Sequence, residues 1–205
     1  MPTTTGNKLS DLPVAEAALL DLCKPFVRDL PAFKPEVVIV QPDEIPFPQD
    51  QLLVHHDHMT EVLQKHHGSP VQVHVQEEHL DGNLYSRKIS LTPRDEPDKI
   101  VEWGIVRLDF RYMAAQVREE ILAKKLPLGA VLIKHDVLRR IKPRWFIRCP
   151  ATGPLLRLFG RPSTPDDVYG RIGTIYCNDE PAIELIELVP NVDNGQPKKK
   201  NGHAI

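Results

Sequence analysis

The residue whose position says most about chemistry is an arginine within an alternating segment. The stretch LYSRKISLT, residues 84–92, alternates in polarity as a β-strand does. Arg87 falls on the same face of that strand as Tyr85, Ile89 and Leu91. A guanidinium stays charged at any working pH, so on an apolar face it needs an anionic partner. Two interpretations stay open: an ion pair with a carboxylate of the core, or a site for the carboxylate of a ligand.

Acidic residues in the last predicted strand could supply a complementary charge. The segment PAIELIELVP carries Glu184 and Glu187, which strand alternation places on opposite faces. One of the two must therefore point inward if the sheet is covered on one side. Such a carboxylate could pair with Arg87, or it could form the far end of a pocket for a polar, anionic ring compound.

Other familiar catalytic patterns are missing from the sequence. There is no GxSxG segment, and the three cysteines are too far apart for a disulfide framework or a zinc site. A metal site would need three or four ligands, and no HExxH pattern occurs. We therefore expect no metal, and we expect solvent-exposed side chains in a cluster of five histidines: His55, His56, His58, His66 and His67.

Length and composition are those of one soluble globular domain. The chain has 205 residues, 41% hydrophobic and 26% charged, and a formal net charge of −2 without a sustained basic stripe. This balance argues against nucleic-acid binding as the main role. The N-terminus lacks the apolar region of a signal peptide, and no segment is long enough to span a membrane. We expect a cytoplasmic protein, with a monomer as the default state.

The order of the predicted elements indicates the fold class. Two alternating segments flank an Asp81-Gly82 pair, which is a hairpin signal, and a third strand that is apolar on both faces is expected to be central. No βαβ alternation and no GxGxxG or Walker loop occurs. The sequence therefore predicts an α+β fold, a single antiparallel β-sheet with helices packed on one side. The predicted helices are 13–30, 48–55, 58–67, 112–125 and 127–140, and the predicted strands are 71–76, 84–92, 99–110, 143–148, 168–178 and 181–189.

Several of these segments, taken in order, resemble the chorismate lyase family. PLGAVLIKHDVLRR (127–140) is similar to that family's PLG segment, and YGRIGTIYCNDEP (169–181) looks like its WGR strand and the turn that follows. HHDHMTEVLQKHHGSPVQV (55–73), LYSRKISL (84–91) and EWGIVR (102–107) resemble its short helix and first three strands. The resemblance predicts a domain over 48–190. Residues 1–47 are then an N-terminal extension, in which the sequence predicts one helix, and the polar, basic composition of 191–205 predicts a disordered tail.

The resemblance also implies a function. Chorismate lyases release pyruvate from chorismate to give 4-hydroxybenzoate, without a cofactor, in a site buried beneath two helical flaps. By similarity Arg87 would be the catalytic anchor of the carboxylate, and Met59 and Leu128 would lie on the flaps and bind the substrate. The family's glutamate aligns with Ile186, so we assign its catalytic and binding role to Glu184, two residues earlier. The same fold also serves as the effector-sensing domain of bacterial regulators, so a non-catalytic binding protein is the alternative.

Overall fold

A computed structural model of the chain describes residues 8–160 and 166–190. Each predicted helical and extended region is present, with shifted ends. The helices are α1 Lys8–Cys23, α2 Gln49–Leu53, α3 Met59–His67, α4 Ala115–Ala123, α5 Leu128–Lys134 and α6 Pro154–Leu158. The strands are β1 Val38–Val40, β2 Val71–Asp81, β3 Leu84–Pro93, β4 Glu102–Asp109, β5 Arg139–Cys149, β6 Val168–Cys177 and β7 Glu180–Val189.

All the strands belong to one antiparallel sheet of seven strands, in the order β1-β5-β6-β7-β4-β3-β2. The β2–β3 hairpin turns at Gly82, whose positive φ of 57° suits a glycine. The last strand, β7, lies in the centre, between β6 and β4. This confirms the predicted α+β class with a single antiparallel sheet.

Helices cover both faces of this sheet. On one face α1 and α6 bury an apolar cluster that includes Leu19, Trp103 and Ile186. On the other face α2, α3, α4 and α5 close two further clusters, one around Leu53 and Leu63 and one around Ile121 and Leu132. The expected one-sided arrangement therefore describes α2 to α5 but not α1 and α6. Side chains of β4 and β7 point alternately to the two faces of the sheet, and both faces are covered by helices. Both sets of positions are therefore mostly apolar, which is why these strands look apolar throughout.

The predicted boundary at residue 47 does not mark a break in the fold. Residues 1–47 were expected to form an extension, yet the described part of this segment contributes α1 to the core and β1 to the sheet edge, where Ile39 pairs with Ile147. The predicted tail over 191–205 lies outside the described residues.

The segment 127–140 is helical only in its first half. α5 ends at Lys134, and Asp136 adopts a left-handed φ of 48° before β5 begins at Arg139. The expected helix to residue 140 is therefore wrong, because a non-glycine residue in the left-handed region breaks the helical hydrogen-bond pattern. Within the described ranges, no helix combines the length and apolar character needed to cross a membrane.

Candidate functional site

Arg87 lies in the middle of β3 and is completely buried, with 0% of its surface exposed. It shares a sheet row with Val106 and Leu185, so it faces the layer of α2 to α5. Across residues 8–160 and 166–190, none of its three guanidinium nitrogens makes a hydrogen bond of good geometry, and its polar neighbour is the Tyr85 side chain. Burial lowers the pKa of Arg87, and the neighbouring Tyr85 and Glu78 act in the opposite direction. A buried cation without a hydrogen bond is costly for a folded chain.

The acidic neighbour of Arg87 is already engaged by other groups. Glu78 is its cross-strand partner on β2, but the hydroxyl of Tyr85 donates to Glu78 Oε2 at 2.6 Å. Lys124 donates to the other oxygen of the same carboxylate at 2.7 Å. Glu78 also lies near the surface, with a side chain 38% exposed. The buried ion pair that was one interpretation of Arg87 is therefore not formed among the described residues.

A partly open cavity of about 40 Å³ lies between the sheet and the first turns of α3 and α5. Arg87 does not line it but neighbours two residues that do. Ile89, on the same strand face as Arg87, and Val106, its cross-strand partner, both line the cavity. The floor is made of sheet residues: Ile89, Leu91, Glu102, Val106, Ile175, Leu185 and Glu187. The roof is made of helix-start residues: His58, Met59, Thr60, Pro127, Leu128 and Gly129.

Two carboxyl groups form an acidic wall of this cavity. Glu187 on β7 accepts a hydrogen bond from Arg171 Nε at 2.5 Å, and both residues are buried. Glu102 on β4 is 3% exposed, and its Oε2 has no hydrogen-bond partner in the described part of the chain. Burial, followed by the nearby negative charge of Glu187, raises the pKa of Glu102 well above its ordinary value. Burial therefore favours the uncharged form of Glu102, and Glu187 is the carboxyl group that is paired with Arg171.

Gly104 makes room for the acidic wall. A Cβ atom at this position would lie 3.4 Å from Glu102 Oε1 and 3.1 Å from the carbonyl oxygen of Ile186. Arg171 is held from the other side, since its Nη1 donates to the carbonyl oxygens of Leu53 and His55 at 3.3 and 3.0 Å. The loop after α2 thereby fixes the cation that Glu187 binds.

His58 separates the cavity from an open groove on the surface. It precedes α3, is 5% exposed, and lines both the cavity and the groove. Arg139 Nε donates to His58 Nε2 at 2.5 Å, and burial lowers the pKa of His58 to about 4, so the imidazole is neutral. A Cβ on Gly129 would come within 3.1 Å of the His58 side chain, so a glycine here lets α5 pack closely against α3. The expectation that this histidine is solvent-exposed is wrong.

The structure brings together some of the predicted site residues and separates one from them. Met59 and Leu128 both line the cavity roof, and Arg87 adjoins the cavity floor. Glu184 lies on the opposite sheet face, where its Oε2 accepts from Arg107 Nη2 at 2.5 Å. Glu184 therefore does not face this cavity, because the register pairs Arg107 with Glu184 and Gly104 with Glu187. The glutamate of β7 that faces the cavity is Glu187.

Glu102 was not predicted from the sequence, and Arg171 appeared there only within the segment 169–181 that looks like a WGR strand. The available signal for Glu102 was an acidic residue in a segment that is apolar on both faces, where a charge must be neutralised or paired. Within the described ranges, no three His, Cys, Asp or Glu side chains come together as metal ligands would.

Comparison with known proteins finds similarity in structure but not in sequence. No protein-family model and no curated protein matches the sequence. PhnF from Mycobacterium smegmatis is 14% identical with a TM-score of 0.47, over 64% of this chain and 63% of PhnF. The effector domain of PhnF is 12% identical with a TM-score of 0.47, over 66% of this chain and 89% of that domain. A ligand-binding domain from Bordetella bronchiseptica, described as that of a GntR-family regulator, is 13% identical with a TM-score of 0.45, over 59% and 86%.

Structural similarity at this level does not indicate a function. The chain spans less than two thirds of the length of PhnF. None of the comparisons identifies the chain as a chorismate lyase, so membership of that family stays a prediction.

Proposed function

We propose that this protein binds a small cyclic carboxylic acid in the cavity beneath α3 and α5, with Arg87 as the partner of the ligand carboxylate. The observation that carries the proposal is the state of Arg87, which is fully buried and has no hydrogen bond within residues 8–160 and 166–190. A carboxylate would accept two hydrogen bonds from its guanidinium and neutralise its charge. The apolar floor beside it suits a ring.

Binding requires the roof of the cavity to move. The cavity volume of about 40 Å³ has room for about one water molecule, whereas a cavity of about 150 Å³ holds a benzene ring. The roof consists of the first turns of two short helices, and the open groove beyond His58 lies on the other side of it. Displacement of these turns would enlarge the cavity and admit a ligand from the groove.

The direct test is calorimetric titration with benzoate and 4-hydroxybenzoate of the wild type and of Arg87→Met. Wild-type protein should bind at least one of the acids, and the variant should lose at least about a hundredfold in affinity, since charge-assisted bidentate pairs are among the strong hydrogen bonds. Glu184→Gln, on the opposite sheet face, is the matched control and should bind as the wild type does. Equal affinity of wild type and Arg87→Met would exclude Arg87 as the anchor.

The second candidate function is lysis of chorismate to 4-hydroxybenzoate and pyruvate. It is favoured by the presence in one cavity of Met59, Leu128 and the two carboxyl groups of Glu102 and Glu187. In this reaction the ether bond to the enolpyruvyl group breaks, a ring proton is lost, and the methylene carbon of the enolpyruvate gains a proton. The ring becomes aromatic, so the protein mainly needs to orient the substrate, exclude water and stabilise the charge on the departing oxygen.

Incubation with chorismate distinguishes the two candidates. A lyase releases 4-hydroxybenzoate and pyruvate in equal amounts, and Glu187→Gln should slow this release far more than Glu184→Gln. Binding of 4-hydroxybenzoate without any release of pyruvate supports the binding protein and excludes the lyase.

A further inference from the structure

The two edges of the sheet are built differently. On one edge the short strand β1, Val38–Val40, pairs with only the last part of β5. The rest of β5 is protected, because Pro143 lacks an N–H, the strand bulges directly after this proline, and His56 Nδ1 lies 3.2 Å from the carbonyl oxygen of Ile141. Prolines, bulges and covering groups are the usual means by which proteins keep an edge strand from pairing with another chain. This edge is therefore closed to a further strand.

The other edge of the sheet is β2, and its first five residues lack these devices. The segment VQVHV, residues 71–75, contains no acidic residue, no lysine, no arginine and no proline, and three of its five residues are β-branched valines. The bulge of β2 comes only after it, between Val75 and Glu77. In the described part of the chain no strand lies beyond β2. Such an edge is a template for pairing with another strand.

The hydrogen bonds to β3 show which backbone groups of β2 face the free edge. Arg94 N donates to Pro70 O at 2.8 Å, so residues 70 and 94 form a hydrogen-bonded pair just before the strand begins. Along an antiparallel pair, residues alternate between those bonded to the neighbouring strand and those turned away from it. The N–H and C=O groups of Val71, Val73 and Val75 therefore point outward, away from β3.

A second copy of the chain fits this edge when a two-fold axis passes through Val73. Val73 then lies opposite its own counterpart and Val71 lies opposite Val75, so each pair of outward-facing residues can exchange two hydrogen bonds. Strand alternation brings all the valines together on one face of the sheet. On the other face the exposed side chains of Gln72 and His74 lie opposite each other. The segment 71–75 is therefore complementary to itself in this register.

Charge and strand geometry exclude pairing further along β2. A two-fold axis at Glu77 or Glu78 would place like charges directly opposite each other, which is destabilising. The bulge after Val75 also bends the strand, so pairing centred on Val73 ends before the two glutamates. Because the opposite edge of the sheet is closed, association stops at two copies and does not continue into a filament.

We propose that two copies of this protein form a two-fold dimer, in which residues 71–75 of both β2 strands pair antiparallel and join the two seven-stranded sheets into one. Five residues on each side make a small interface, so the dimer forms at micromolar concentrations. The monomer expected from the sequence is then the form present at low concentration. The dimer does not depend on the ligand site, so it holds or fails separately from the proposed function.

Sedimentation equilibrium of the wild type and of Val73→Lys tests the pairing. Wild-type protein should change from monomer to dimer as its concentration rises through the micromolar range. Val73→Lys places two like charges at the axis, where the Cα atoms of a hydrogen-bonded pair are about 5.5 Å apart, and should raise the dimer Kd at least about tenfold. Leu80→Lys, at a residue of the same strand that is 52% exposed and lies beyond the bulge, is the matched control and should dimerise as the wild type does.

A mixture of Val73→Lys and Val73→Glu tests the register. Opposite charges meet at the axis only if position 73 lies opposite itself, so the mixture should form a dimer at least about tenfold more tightly than either variant does alone. A mixture that associates no better than the separate variants overturns the pairing centred on Val73. A wild type that stays monomeric at these concentrations, or a Val73→Lys dimer as stable as that of the wild type, overturns the proposed dimer.

Amide hydrogen exchange of the wild type tests the same contact without a variant. The amides of Val71, Val73 and Val75 face solvent in the monomer and are hydrogen-bonded in the dimer. They should therefore exchange at least about tenfold more slowly at concentrations where the dimer dominates than where the monomer does. Exchange of these amides that does not depend on protein concentration overturns the proposed dimer, even if Val73→Lys does not fold.

Discussion

Replacing Arg87 by methionine should make the ligand-free protein more stable. Three guanidinium nitrogens are buried without a hydrogen bond in the described residues, and each buried unsatisfied donor costs about 1–3 kcal/mol. Methionine removes the charge and these donors, and its flexible chain fills most of the same space. Methionine also loses the attraction of the guanidinium to Tyr85 and Glu78, which offsets much of this cost, and the space that stays empty subtracts about 1 kcal/mol. The net expectation is a gain of about 1–3 kcal/mol in the free energy of unfolding.

For a chain of 205 residues this gain corresponds to a rise in Tm of about 2–12 °C. Thermal unfolding followed by circular dichroism without ligand measures it. The control is Lys99→Met, an exposed lysine whose ammonium lies 3.1 Å from Glu96 Oε2. That change should alter the stability by no more than about 1 kcal/mol.

The same variant should lose ligand-dependent stabilisation. At a concentration one hundred times Kd, a ligand should stabilise the wild type by about 2.7 kcal/mol, and Arg87→Met should show no such increase. A fall in Tm of several degrees in the variant would refute the reasoning, since it would mean that Arg87 holds the ligand-free core together.

Three further predictions concern other residues. Burial lowers the pKa of His58 from 6.5 to about 4, so the stability that its neutral imidazole contributes is fully present above pH 6.5 and is lost as the pH falls through 4. The loss in the free energy of unfolding is about 3 kcal/mol. Urea unfolding across this range should show a smaller decline in His58→Gln than in the wild type. Glu187→Gln should lower the free energy of unfolding by about 3–5 kcal/mol, because it leaves Arg171 buried without an ionic partner. Glu184→Gln, at a side chain that is 40% exposed, should lower it by at most about 1 kcal/mol. Equal losses in urea unfolding would contradict the assignment of the two glutamates to opposite faces. Gly170→Ala should destabilise the protein by about 1–3 kcal/mol, because the new Cβ would lie 2.5 Å from the carbonyl oxygen of Glu187, and an unchanged Tm would show that β6 and β7 can separate at this point.

The sequence predicts the class of the fold and the burial of Arg87 because both depend on local periodicity. Alternation in 84–92 places the arginine with Tyr85, Ile89 and Leu91, and the structure confirms that this face is buried. Periodicity also predicts the hairpin and the central position of the third long strand. The end of α5 was missed because the residues after Lys134 include good helix formers, and only the left-handed backbone of Asp136 ends the helix.

The choice between Glu184 and Glu187 depends on a relation between strands that are far apart in sequence. Both faces of β7 are apolar, so its own pattern does not distinguish its two glutamates. Their sides are determined by the register of β7 against β4, which pairs Val106 with Leu185 and so places Glu187 on the face of Arg87. A shift of one residue would exchange the two glutamates. Glu102 was missed for a similar reason, since its raised pKa depends on burial by the folded sheet and then on Glu187 from another strand.

The central position of β7 has a consequence for biosynthesis. β2, β3 and β4 can pair with one another as soon as they leave the ribosome, and so can β5 and β6, but the strand that joins the two groups is made last. Until residues 180–189 emerge, β4 and β6 each present an open, apolar edge to solvent. A nascent chain in this state is exposed to aggregation until β7 is made, and protection by chaperones matters most over this interval. The translation of this final segment therefore sets the moment at which the acidic wall, with Glu102 on β4 and Glu187 on β7, first exists.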